Sequence, residues 1–428
     1  MTLGFNTHGN NQTSGRNSAA VLSGKLRNTI GSTTHVFKYC NRQPYSMNLF
    51  NTFYETNNTF EPYHILNGEG MSLDKLQMEE SEDDSETTTI KTKSFLMGFF
   101  TPKQIRTVYS VPSIAPLSRI RRPIVTIITA FSNPYLVNDV KTFGRVFGLP
   151  PCNLTVRNFS RRFVTPWAVE TTLNVQWVYA MNPYAQIRVI QAASNSWNDI
   201  FKAINFANNK NNFNPRIDTD IVTMSFGSMD NGIFKSFERY FTNPNTIYFA
   251  ASGNSNTVSF PSSCSNVIAV GGTSLQLNSS NFTRALETSW SKTGSGFSPS
   301  FTKPFYQPSL LQNNQRTTPD VSCVADSNTG CCVIINGRAY SIGGTSLASP
   351  IYAGMMSTLI QRRLNNRKST YTSVLNRANT IQPLLYNNSN SFFDVVNGSS
   401  GQYFAGVGFD IPSGLGVLNC NDIVAKLG

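Results

Sequence analysis

From about Phe99 to its end, the chain repeats one texture: short apolar runs rich in β-branched residues, each bounded by turn residues, alternate with stretches of helical length. Strands that are apolar on both faces need cover on both faces, and helical crossovers supply it. The texture therefore predicts a βαβ protein, an α/β fold with a mainly parallel central sheet flanked by helices. Strands are expected at Ile124–Ala130, Gln186–Gln191, Ile221–Ser225, Thr246–Ala251 and Val267–Gly271. Helices are expected at Leu136–Phe147, Thr165–Met181, Ser194–Asn208, Gly232–Thr242 and Thr345–Leu364, with Pro183 stopping the second. No internal repeat is present.

The first 98 residues read differently. They are rich in Asn, Ser, Thr and Gly and contain an acidic run at 79–86, which reads as a solvated linker. The organisation expected is an N-terminal polar region over 1–98 and one large domain over 99–428. The chain has 39% hydrophobic and 14% charged residues, which excludes a disordered protein. No window reaches the roughly 20 apolar residues of a membrane span, and the N-terminus lacks a signal-peptide core, so nothing directs secretion and no membrane partner is expected. A net charge of +12 would favour polyanions, but the basic residues are scattered and no specific nucleic acid is expected. Seven cysteines, two of them adjacent at Cys331 and Cys332, do not make a disulfide framework. His8, His35 and His64 lie near only Cys40, which is not a zinc pattern.

The stretch GGTSLASP, Gly343 to Pro350, places Ser346 at a strand-to-helix junction. There its hydroxyl would feel the positive end of a helix, with Pro350 expected in the first turn. A serine hydroxyl needs a base to take its proton. No histidine follows Phe99, so unless the N-terminal region supplies an imidazole the base is a carboxylate. Within the helix expected at Thr165–Met181, Glu170 and Asn174 are four apart and share a face, while Trp167, Leu173, Trp177 and Ala180 would form the buried stripe.

Taken together these residues resemble the sedolisins, serine-carboxyl peptidases with a subtilisin-like three-layer fold. The resemblance runs from FTPKQIRTVYSVP through ITAFSNPYLVNDVKTFGRVFGLP, WAVETTLNVQWVYAMNPYAQI, VTMSFG, AASGN, FPSSCSNVIAVGGTSL and TPDVSCVADSNTG to GGTSLASP. It implies Ser346 as nucleophile and Glu170 as general base. The aspartate that partners the family's glutamate is replaced by Asn174, and the aspartate of its oxyanion hole by Asn254. An amide donates a hydrogen bond at any pH, so Asn254 suits an oxyanion donor. Asn174 can orient Glu170 but cannot share a proton with it.

The resemblance also implies one calcium ion, held in FFDVVNGSSGQYFAGVGFDIPSGLG by the carboxylates of Asp394 and Asp410 and the carbonyls of Val395, Gly406 and Gly408. It makes residues 1–98 a reduced or atypical propeptide. The function implied is hydrolysis of peptide or protein substrates through an acyl-enzyme on Ser346, by a monomer or as part of an assembly. The alternative is a catalytically impaired homologue that binds peptides or builds an assembly. A third and weaker reading is a polyanion-binding protein.

Overall fold

A computed structural model of the 428-residue chain describes residues 58–73, 98–213, 216–370 and 380–428. The acidic run at 79–86, His8, His35 and Cys40 lie outside them. The chain enters through β1 (Glu61–Pro62) and β2 (Ile65–Ser72), then α1 (Pro102–Val108), β3 (Ile124–Ala130), α2 (Leu136–Val146), β4 (Asn153–Asn158) and α3 (Thr165–Met181). It continues with β5 (Gln186–Ala192), α4 (Trp197–Asn208), β6 (Ile221–Met224), β7 (Phe226–Met229), β8 (Ile247–Ala251), β9 (Ser259–Phe260), β10 (Val267–Leu277) and β11 (Arg284–Ser289). Then come β12 (Gly296–Thr302), β13 (Gln315–Thr318), β14 (Val321–Val324), β15 (Cys331–Ile335), β16 (Arg338–Gly343) and the helix α5 (Thr345–Asn365).

The central sheet has the order β11-β10-β8-β6-β3-β5-β4, with β14 also on β10, and only β11 pairs antiparallel. Alternation along its strands sorts the side chains into two cores. Val125, Ile127, Ile187, Val189, Ile247 and Phe249 join the layer that contains α3 and α5. Ile128, Ala130, Ile190, Ala192, Tyr248 and Ala250 join the aromatic-rich layer with α4. A period of two over a doubly covered sheet gives three layers, as expected.

Most expected elements are present, with ends shifted by a few residues. Three expectations fail for stated reasons. The segment expected as a helix over Gly232–Thr242 is a 3-10 turn, Phe234–Phe241, whose Phe234 and Phe241 anchor it to the core. The helix α3 has no stripe: Trp167 through Met181 are all buried, because the sheet, α5, α2 and β15 all pack against it. Pro350 is the sixth residue of α5, not in its first turn, so the Ser346 carbonyl lacks the helical N–H that would ordinarily meet it.

The helices α3 and α5 approach closely at Gly354, where an added Cβ would stand 2.5 Å from Met181 Cβ and 3.0 Å from the Val178 carbonyl. Asn182 Nδ2 donates to Ser357 Oγ at 2.9 Å nearby. This crossing sets the distance between the two side chains that matter most, Glu170 on α3 and Ser346 on α5. The six cysteines among the described residues, Cys331 and Cys332 included, are unpaired.

Candidate active site

The turn between β16 and α5 is made by Gly344, at φ +94°, a conformation that L side chains rarely adopt. It puts Ser346 in the first turn of α5, fully buried. The Ser346 hydroxyl has one proton and two acceptors in reach, Glu170 Oε2 at 2.9 Å and the Ser225 carbonyl at 2.8 Å. A carboxylate is the stronger acceptor, so the pair has the geometry of a nucleophile with its base.

Glu170 is 1% exposed, and its other oxygen is fixed by the residue four places on. Asn174 Nδ2 donates to Oε1 at 2.6 Å and to the Glu170 carbonyl at 2.7 Å, while Asn174 Oδ1 accepts from Ser225 Oγ at 2.7 Å. Ser225 therefore contributes on both sides, by its hydroxyl to Asn174 and by its carbonyl to Ser346. Although Ser225 sits in the quoted stretch VTMSFG, its role is not visible in sequence.

Asn254 completes the group. Its Oδ1 accepts from Thr345 N at 2.9 Å and Thr345 Oγ1 at 3.0 Å, which orients the amide so that Nδ2 faces the cleft. All four residues expected at the site, Ser346, Glu170, Asn174 and Asn254, thus converge, drawn from α3, α5 and the loop after β8.

The cleft is occupied by the protein's own N-terminal segment, which sequence reading placed in a polar region without a core. Phe60 is fully buried against Phe226, 5.2 Å between ring centroids, and belongs to the aromatic core. β1 pairs antiparallel with β7, Glu61 facing Gly227 and Pro62 facing Phe226. β2 pairs antiparallel with β16, Ile65 facing Gly343. Between them, Tyr63 and His64 cross the site. Tyr63 N donates to Ser346 Oγ at 2.8 Å and to the Ser225 carbonyl at 3.2 Å, and the Tyr63 carbonyl accepts from Asn254 Nδ2 at 2.6 Å. That carbonyl lies 1.9 Å from where a Cβ on Gly344 would stand, so only glycine leaves room for it.

The Tyr63 ring enters a slot bounded by Gly227 and Gly253, and its hydroxyl donates to Ser259 Oγ at 2.9 Å. Burial pushes the phenol up to about 12, which keeps it a donor at ordinary pH. His64 supplies the imidazole that the domain lacks, yet it does not stand between serine and carboxylate. Its Nδ1 lies 2.8 Å from Glu170 Oε2, the oxygen that Ser346 also uses. The only sequence signal for this segment is the short apolar island FEPYHIL amid polar residues.

In the loop expected to hold calcium, the two carboxylates face backbone amides. Asp394 Oδ2 accepts from Gly408 N and Asp410 Oδ2 from Gly406 N, each at 2.8 Å, so at both glycines it is the N–H that is engaged. Asp394 Oδ1 is buried with no partner. Burial raises Asp410 to about 6, opposed by the Gly406 and Ser413 amides and assisted by the charge of Asp394. Among the described residues no cluster of three or more His, Cys, Asp or Glu side chains is arranged to hold a metal.

Residues 172–406 match the family described as the Subtilase family. Over 221 residues the chain is 32% identical to sedolisin of Pseudomonas sp. (strain 101), an alignment covering 48% of this chain and 34% of that protein. Over 182 residues it is 32% identical to xanthomonalisin of Xanthomonas sp. (strain T-22), covering 37% of this chain and 21% of the other. In both, the chain spans well under two thirds of the relative's length. The fold is similar to that of Pseudomonas sedolisin solved in complex with two molecules of pseudo-iodotyrostatin, with a TM-score of 0.66 at 24% identity, over 76% of this chain and 97% of that one. The chain belongs to the subtilase family, and is a sedolisin-like member of it. No helix among the described residues is long and apolar enough to cross a membrane.

Proposed function

We propose that the protein is a serine-type peptidase that hydrolyses peptide bonds through an acyl-enzyme on Ser346, with Glu170 as general base and Asn254 as oxyanion donor. The observation that supports this most is the 2.9 Å bond from Ser346 Oγ to a buried carboxylate, with a separate amide donor aimed at a backbone carbonyl alongside. Glu170 accepts the Ser346 proton as Oγ attacks the carbonyl carbon, Asn254 Nδ2 meets the oxygen that becomes negative, and Glu170 passes the proton to the departing amine. Water then repeats the sequence on the ester. Asn174 takes no proton. Its amide holds Glu170 Oε1 so that Oε2 faces the serine, which makes it a positioning residue.

Calcium is proposed as a structural ion. Asp394 and Asp410 fit a hard cation, being two carboxylates close enough to feel each other's charge, with Asp394 Oδ1 buried and without a partner, and the ion would supply charge neutralisation that stiffens the loop. Carbonyls of Val395, Gly406 and Gly408 remain the candidates for the rest of the shell.

Labelling with a fluorophosphonate probe tests the activity. The full chain and a Tyr63→Gly variant, in which the segment loses its hold on the slot, are compared with Ser346→Ala and Glu170→Gln. Labelling that needs both Ser346 and Glu170 is expected. A folded Tyr63→Gly chain that never labels contradicts the reading and leaves a peptide-binding homologue.

A further inference from the structure

The oxyanion donor Asn254 sits in a loop, residues 252–257, that a second loop and a distant hairpin hold from behind. At the far end stands Ser400, fully buried in the hairpin of the strands Ser399–Ser400 and Tyr403–Phe404. Ser400 Oγ donates to the Thr293 carbonyl at 2.6 Å and accepts from Ser295 Oγ at 2.8 Å. The same peptide unit donates on its other side, from Gly294 N to the Gly253 carbonyl at 2.7 Å, and that carbonyl belongs to the peptide bond leading into Asn254. We propose that Ser400 is a positioning residue of the reaction: through the Thr293–Gly294 peptide it fixes the height of Asn254, and so the fit of the oxyanion donor to the transition state. The proposal rests on the peptidase reading of Ser346 and Asn254.

Three features carry it. First, the bonds run in one direction, from the Ser295 hydroxyl to the Ser400 hydroxyl to the Thr293 carbonyl, then from Gly294 N to the Gly253 carbonyl. Every member is buried, and in a buried chain each bond polarises the next. Second, the link has no slack. A Cβ on Gly294 would stand 1.9 Å from the Ser252 carbonyl oxygen, so the two backbones touch and a shift of one moves the other. Third, both ends are anchored. Ser289 N donates to the Asn397 carbonyl at 2.8 Å, which ties the start of the hairpin to the end of β11. Thr345 Oγ1 accepts from Gly253 N at 3.0 Å and donates to Asn254 Oδ1 at 3.0 Å, which ties the loop to the turn of Ser346. Removing the Ser400 hydroxyl leaves the buried Thr293 carbonyl without this donor, and the two loops relax together.

The consequence falls on one part of the chemistry. A displaced Asn254 weakens a bond that matters most when the carbonyl oxygen turns negative, so kcat falls and KM does not. Proton transfer runs from Ser346 Oγ to Glu170 Oε2, and among the described residues no member of the Ser400 chain bonds either group. The pH profile of kcat/KM therefore stays where it is.

Steady-state hydrolysis of Glu-Pro-Tyr-p-nitroanilide by the full Tyr63→Gly chain tests this, with amide hydrogen exchange as a second measurement. Ser400→Ala is expected to lower kcat about tenfold, with KM changed less than about twofold and the pH profile unmoved, and Ser400→Thr, which keeps the hydroxyl, to recover most of the rate. In an Asn254→Ala background the same Ser400→Ala change is expected to alter kcat by less than about twofold, because the donor it positions is gone. Exchange in Ser400→Ala is expected to quicken at Gly253 and Gly294 as well as in the hairpin. Melting curves check that each variant folds; should Ser400→Ala not fold, Ser295→Ala removes the first donor of the chain and is read in the same two backgrounds, with a loss of about threefold expected only where Asn254 is present. An equal loss of kcat with and without Asn254, or exchange that quickens only at 398–404, makes the role merely structural and overturns the inference alone. A folded Ser400→Ala chain with unchanged kcat does the same. A Tyr63→Gly chain that neither labels with the serine probe nor turns over overturns the peptidase reading with it.

Discussion

Exchanging Glu170 for glutamine preserves the shape around Ser346 and removes the basicity. Glu170→Gln is therefore expected to lower kcat by about 10²–10⁴-fold with little change in melting temperature, measured by steady-state hydrolysis beside calorimetry. Asn254→Ala removes the donor 2.6 Å from the carbonyl that stands in the cleft, and should cost about 10²–10³-fold in kcat. Asn174→Asp places a second carboxyl against Glu170 Oε1. Two carboxyls at that distance share a proton, so the pH profile of kcat/KM is expected to move toward acid; an unchanged profile would show that position 174 does not tune the base. At this scale the sequence was most informative, since a serine at a glycine-rich turn and a glutamate four residues from an asparagine were readable as one-dimensional spacings. What it hid were groups that matter through position only, such as the Ser225 carbonyl and the Ser259 hydroxyl.

Among elements, the crossing of α3 and α5 decides whether Glu170 reaches Ser346. Gly354→Ala puts a Cβ 2.5 Å from Met181 Cβ and is expected to cost about 1–3 kcal/mol, read by denaturant unfolding, with a loss of activity larger than the loss of stability explains. The strands of the central sheet were legible because each is a short apolar run with turn residues at its ends. The stripe on α3 was not, because a helix covered on every side has no periodicity to read; its Thr171, Asn174 and Gln176 look like a polar face until their buried partners are seen. Gln176, for example, spends its amide on the Ile334 backbone, bonding both its carbonyl and its N–H. The β1–β2 segment was missed for the opposite reason: its pairing partners, β7 and β16, lie far along the chain, and local pattern carries no trace of them.

For the whole molecule, stability and pH are linked through Asp139. It is 1% exposed, its Oδ1 accepts from Asn336 N at 2.8 Å, and its Oδ2 has no partner. Burial raises it from 3.8 to about 7, against the Asn336 bond. The folded state therefore holds this proton more tightly than the unfolded chain, and between about pH 4 and 7 stability from this group falls as pH rises. Asp139→Asn is expected to flatten that slope and to raise stability at pH 8 by roughly 1–4 kcal/mol, measured by urea unfolding at several pH values. Calcium, if held by Asp394 and Asp410, should raise the melting temperature of the wild type and leave an Asp394→Asn, Asp410→Asn double variant unmoved.

The central claim, that Ser346 becomes acylated with Glu170 as its base, is tested most directly by trapping the intermediate. The Tyr63→Gly chain is mixed with an activated tyrosyl ester, quenched in acid and digested for mass spectrometry. The account predicts an acyl adduct on the peptide that contains Ser346, absent from Ser346→Ala and formed far more slowly in Glu170→Gln. Turnover with no adduct on Ser346, or an adduct that forms equally fast without Glu170, would contradict it.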